Sequence, residues 1–85
     1  MAEQEIGVIQ HYFDKISVAI ISVTQGELTV GDTIHIKGHT TDVNTKIESM
    51  QFEHNKIEKA GVGESTGVKV PAKVRIQDKV FKITP

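Results

Sequence analysis

The 85-residue chain is 38% hydrophobic, has no cysteine and carries a formal net charge of −1. So short a chain builds one core without disulfides or thiolate-bound metal, so residues 1–85 are expected to be one domain with its core at about 6–83. The near-neutral balance argues against phosphate-led nucleic-acid binding, and the longest apolar run, Val18 to Ile21, is far too short for a membrane helix.

In chain order the pattern is that of strands: β-branched residues are abundant, apolar runs are short, and Gly, Asp and Asn separate them. A first strand is expected from Ile6 to Phe13 and a second from Ile16 to Val23, with Asp14-Lys15 as a tight hairpin turn. The stretch Thr24 to Asp32, with Gly26 and Gly31, reads as a connection. Thr33 to Lys37 alternates cleanly, placing Ile34 and Ile36 on the core face and Thr33, His35 and Lys37 toward solvent. A longer strand is expected from Val43 to about Glu53. Its apolar parity changes between Ile47 and Met50, as a β-bulge near Ser49 would produce. Asn55 to Glu64 reads as a polar connection in which Ile57 and Ala60 tuck back onto the core. Strands near Ser65 to Val70 and Val80 to Ile83 complete a count of six, which suits a closed all-β barrel.

Candidate chemistry is sparse. The segment Gly61-Val62-Gly63-Glu64-Ser65-Thr66-Gly67 lacks the spacing of a phosphate-binding loop, feeds a strand rather than a helix, and carries an acid. His11, His35, His39 and His54 offer imidazoles, yet without thiolates a metal site needs three or four groups to converge, and exposed polar histidines are the simpler reading. Ser49, Ser65, Glu53, His54 and Glu58 have the atoms for acid–base or nucleophilic work but no local signature for it, and no cofactor is implied. Tyr12 and Phe13 are adjacent, so one should pack inward and the other face solvent, leaving at most one ring for base stacking. Charge is uneven: residues 1–42 hold two lysines against six acids, and residues 43–85 hold eight basic residues against five acids. A solvated surface is the simpler reading than a functional basic face, because in a barrel both halves wrap around the same core. The N-terminus Met1-Ala2-Glu3-Gln4-Glu5 lacks the charge and apolar run of a secretory signal, so a cytoplasmic location is expected.

Four segments in register, Leu28 to Gly38, Ile47 to Gln51, Ala60 to Glu64 and Val68 to Val70, resemble the β-barrel second domain of the translation GTPases such as elongation factor Tu. The resemblance spans residues 6–83 and is nearest to small stand-alone translation-elongation-factor-like proteins of prokaryotes. It implies a six-stranded closed antiparallel Greek-key β-barrel. The Gly-x-x-x-x-Gly-Lys-Ser/Thr loop is absent, so no nucleotide binding and no GTPase activity are expected.

The resemblance implies a non-catalytic binding module that docks on RNA, a ribosomal component or a translation-associated protein. Lys69, Lys73, Arg75 and Lys82 would then be its partner-contacting basic residues. The alternative is an accessory barrel for protein interaction or assembly, partnering an enzyme subunit or itself. A similar barrel is attached to the collagenase-like peptidases implicated in RNA modification. On that reading, strand edges and apolar residues such as Ile21 and Val23 would form the interface.

Overall fold

The computed structural model describes residues 2–53 and 55–84. It contains ten strands: β1 (Ala2–Phe13), β2 (Val18–Val23), β3 (Glu27–Thr29), β4 (Thr33–Lys37), β5 (Asp42–Lys46), β6 (Met50–Phe52), β7 (Asn55–Ile57), β8 (Lys59–Gly61), β9 (Ser65–Lys69) and β10 (Lys79–Thr84). Eight form one antiparallel sheet in the order β5-β4-β10-β1-β2-β9-β6-β7, and β3 pairs with β8 in a separate ribbon. No helix among the described residues is long and apolar enough to cross a membrane.

Alternation builds the core. Ala19, Ile21 and Val23 of β2 are buried while Val18, Ile20 and Ser22 between them are only half-buried, so one face of the strand points inward. Ile34 and Ile36 of β4 do the same, as the sequence led us to expect. With Ile6, Ile9, Ile47, Met50, Val68, Val70, Val74 and Val80 they form one cluster, around which the sheet curls. The ribbon closes over it: Leu28 and Ala60 lie opposite each other and are both fully buried in the same cluster. Backbone bonds at its ends fasten the ribbon to the rest of the fold, from Gly31 N to Ile47 O (2.8 Å) and Gly63 N to Val23 O (2.9 Å).

The first strand is long because it serves two neighbours. Its first half pairs with β10 and its second half with β2, and its register slips between Glu5 and Gly7 and again between Ile9 and His11. Each slip is a bulge that bends β1 around the core. At the first, Gly7 lies so close to β2 that a β-carbon there would collide with the Ser22 carbonyl.

Several expectations need correction. The six-stranded closed barrel is not what forms. Among the described residues ten strands form, and no ladder joins β5 to β7 at the two ends of the sheet. The expected strand from Val43 to Glu53 is two strands, β5 and β6, separated by Ile47 to Ser49. Its parity change is not a bulge: the chain leaves one margin of the sheet and rejoins at the other, next to β9. The supposed connections Thr24 to Asp32 and Asn55 to Glu64 contain β3, β7 and β8, although Ile57 and Ala60 do pack on the core. The turn after Phe13 spans Asp14 to Ser17 rather than two residues, with Ser17 at φ 56°.

Candidate docking surface

Antiparallel pairing brings the outward residues of four strands into one line. His11 and Phe13 of β1 lie against Ile20 and Val18 of β2, Ile20 lies against Gly67 of β9, and Gly67 lies against Gln51 of β6. Gly67 is the gap that shapes this line. A β-carbon there would stand 3.3 Å from Val18 Cγ1 and 3.4 Å from Ile20 Cδ1, so the missing side chain lets both lean across β9. The result is an open groove of about 390 Å³ with Val18, Ile20 and Gly67 as its floor. Phe13 and Ile16 form one wall, and Gln51 and Glu53 the other. Phe13 is 45% and Ile16 60% exposed, and the His11 ring meets Phe13 edge-on at 4.5 Å between centroids. Tyr12, one residue away, packs against the core, so the adjacent aromatic pair divides as alternation requires. The outer face of an antiparallel sheet is ordinarily polar, and a contiguous apolar strip on it marks an interaction surface more than scattered exposed residues do.

Ile21 and Val23, suggested above as interface residues, are instead buried in the core. It is Val18 and Ile20 of β2 that face outward. A signal was present in the sequence. Four consecutive apolar residues from Val18 to Ile21 must put two on the outer face of any strand.

Of the four basic residues, three are exposed and one is paired within the fold. Lys69 ends β9 and is exposed, beside a cleft formed with Lys46, Glu48 and Ser49. Lys73 and Arg75 are exposed in the segment between β9 and β10, where the Arg75 backbone N–H donates to the buried Asp78 carboxylate (2.9 Å). Lys82 is committed within the fold: its ammonium lies 3.3 Å from Asp32 Oδ2, both groups only about a quarter exposed. Asp32 also accepts from the Thr29 N–H (2.9 Å), so this pair pins the ribbon to β10.

Of the histidines, His11 and His39 are exposed and His54 lies outside the described residues. His35 is tied down. Its Nε2 pairs with Asp42 of β5 and its Nδ1 lies 3.1 Å from Glu3 of β1, so one imidazole links strands on both sides of β4. The Asp42 carboxylate, helped by Glu3, holds the His35 pKa above its ordinary value, while partial burial acts the other way. Both ring nitrogens are used, and among the described residues no group of three or more His, Asp or Glu is placed to hold a metal ion. Ser65 Oγ donates to Gln10 (3.0 Å), Ser49 and Glu58 line a separate shallow depression, and Glu53 is exposed in the groove wall.

No family model matches the chain. Curated relatives do. A collagenase of Porphyromonas gingivalis is 39% identical over 72 residues, which cover 84% of this chain and 20% of the relative. A protein of Methanocaldococcus jannaschii described as an uncharacterized protease is 42% identical over 78 residues, covering 91% of this chain and 19% of the relative. The chain thus spans about one fifth of the length of these relatives. Among solved structures, the C-terminal domain of a Geobacillus thermoleovorans protein described as a U32 peptidase superposes with a TM-score of 0.87 at 17% identity, covering 95% of this chain and 93% of that one.

These findings overturn the translation-factor resemblance, and with it the reading as an RNA- or ribosome-docking module. The matched proteins are named as collagenase, protease and peptidase domain, not as translation factors. The residues that carried the resemblance are turns and core positions. Gly31 takes φ 100° before β4, Gly63 takes φ 86° before β9, and Leu28, Ile34, Ile36, Met50 and Val68 fill the core. Such residues specify how an antiparallel chain folds and leave its partner open.

Proposed function

We propose that this chain is a non-catalytic accessory domain that docks, through the groove over β1, β2, β9 and β6, onto the body of a peptidase-type protein like those it resembles. The observation that carries the reading is the apolar floor of Val18 and Ile20 laid open by Gly67 on a sheet face that would ordinarily be polar. The choice of occupant rests on the relatives, in which the matching stretch is about one fifth of a longer chain. An apolar segment of that remaining body would cover Phe13 and Ile16, and burial of two such side chains stabilises a contact by roughly 3–6 kcal/mol before ordering costs.

Reconstitution tests this directly. The purified chain is titrated calorimetrically with a purified U32-type peptidase body lacking its own C-terminal domain. Saturable one-to-one binding, lost in a Phe13→Asp/Ile16→Asp variant with an unchanged circular dichroism spectrum, is the expected result. Undiminished binding by that variant would refute the groove. Recovery from native cells of RNA or ribosomal proteins that disappear on ribonuclease treatment, or self-association through the same residues, would refute the assigned partner.

A further inference from the structure

The sheet has one long unpaired margin. Strand β5 bonds to β4 along one side from Asp42 to Lys46, and among the described residues no backbone hydrogen bond reaches it from the other. At the Lys46 end of that strand is a cleft of about 330 Å³. Thr45, Lys46, Glu48 and Ser49 form its near wall, and Lys69, Val70 and Pro71 its far wall. The far wall does not complete the ladder. The Val70 N–H is already bonded to Ser17 O (2.9 Å), and Pro71 has no N–H to offer. The sheet is therefore left with a row of donors and acceptors along β5 and an open space beside them.

Charge distinguishes this space from an ordinary sheet edge. Lys46 and Lys69 both line it, and Glu48 is the one acid among the lining residues. Beyond Pro71 the chain adds Lys73 and Arg75, and no acid occurs from Ser65 to Gln77. Among the described residues none of these four cations is in an ion pair, whereas Lys59, Lys79 and Lys82 each have a carboxylate partner. The segment that carries them leaves the cleft at Pro71 and runs on to Asp78, which packs beneath Gly38 where β10 meets β4.

We propose that β5 accepts an extended acidic peptide segment as an added strand, with the segment's carboxylates facing Lys46 and Lys69. Backbone pairing along β5 supplies attraction of the kind seen when peptides extend a sheet, and the lysines select for negative charge. This cleft shares no lining residue with the groove at Phe13 and Ile16, although Lys69 lies opposite Val18 of the groove floor, and the proposal does not depend on what that groove binds.

The probe is a synthetic peptide of about six residues alternating glutamate and valine, the usual strand length. Two controls accompany it, one with lysine for glutamate and one with a central proline. Titration into the full chain is followed by amide chemical shifts and hydrogen exchange. Slowed exchange confined to amides of β5, saturable for the acidic peptide and absent for both controls, is the expected result. Lys46→Glu and Lys69→Glu should each weaken binding at least about threefold and make it less salt-sensitive, because each turns an attraction into a repulsion. Lys56→Glu, on β7, should leave it unchanged. Equal binding of the proline peptide would mean adhesion by charge alone and would overturn strand addition. Unshifted β5 amides at millimolar acidic peptide, or shifts centred on Phe13 and Ile16, would overturn the site. Pairing of β5 with β5 in a dimer would overturn the heterologous partner.

Discussion

Replacing Gly7 with alanine tests the close approach on which the bend of β1 depends. A β-carbon at this position falls closer than 3.0 Å to the Ser22 carbonyl oxygen, 3.1 Å from the carbonyl carbon and 3.3 Å from Val23 Cα. All three are backbone atoms, so no side chain can swing aside. The ladder between β1 and β2 must open by something on the order of 1 Å, which as overpacking costs roughly 1–3 kcal/mol. The bonds from Thr24 N and Gln25 N to Ile6 O (2.8 and 3.2 Å) leave from the same spot. Weakening one of them adds about 1 kcal/mol. A total of about 2–4 kcal/mol is a large part of what a domain of this size has, and at about 4–8 °C per kcal/mol it lowers Tm by roughly 8–32 °C. Thermal unfolding followed by circular dichroism measures it. Gly63→Ala is the matched control: nothing lies within 4 Å of its added carbon, and only the left-handed φ of 86° is penalised, at roughly 1–2 kcal/mol. A Gly7→Ala protein melting within about 2 °C of the parent, or no lower than Gly63→Ala, would refute the argument from backbone crowding.

Met50→Ala empties a fully buried site in the core and should cost about 2–5 kcal/mol in urea unfolding, against little for the half-exposed Phe52→Ala. The His35 pairing predicts a pH-dependent stability. Its folded-state pKa is raised, so its contribution is complete below the ordinary value of 6.5 and is lost as pH rises through the folded-state value. The melting temperature of the parent relative to His35→Gln should therefore fall between mildly acidic and alkaline buffer, and a pH-independent difference would count against the clamp. Lys82→Met and Asp32→Asn, singly and together, should show a coupling of about 1 kcal/mol in a double-mutant cycle, since the pair is only partly solvated.

The elements that could be read from the sequence are those whose information is local. Thr33 to Lys37 alternates without interruption, and β4 occupies those five residues. The glycines at 31 and 63 announce turns because few other residues tolerate their backbone angles. Strands of three residues, such as β3, β7 and β8, are too short to display a period, so their segments resemble loops until pairing partners are known. The break between β5 and β6 has the same apolar signature as a bulge, and only the neighbours of each strand tell the two apart. The groove over β2 and β9 was hidden for a related reason. Gly67 reads as a weak strand residue, and its role appears only when β9 is laid beside Val18 and Ile20. Likewise, Lys82 belonged to an apparently basic half of the chain, while the carboxylate that occupies it comes from the acidic half.

The outermost rung between the first and last strands joins Ala2 to Thr84. Both tails therefore leave from one corner, and a tug applied through flanking polypeptide would load the β1–β10 bonds one after another, like a zipper, rather than all together in shear. Mechanically this makes the fold a soft link. It should yield at low force by peeling β10 away, and it should accept relocation of its termini to an outlying turn when a short linker bridges positions 2 and 84.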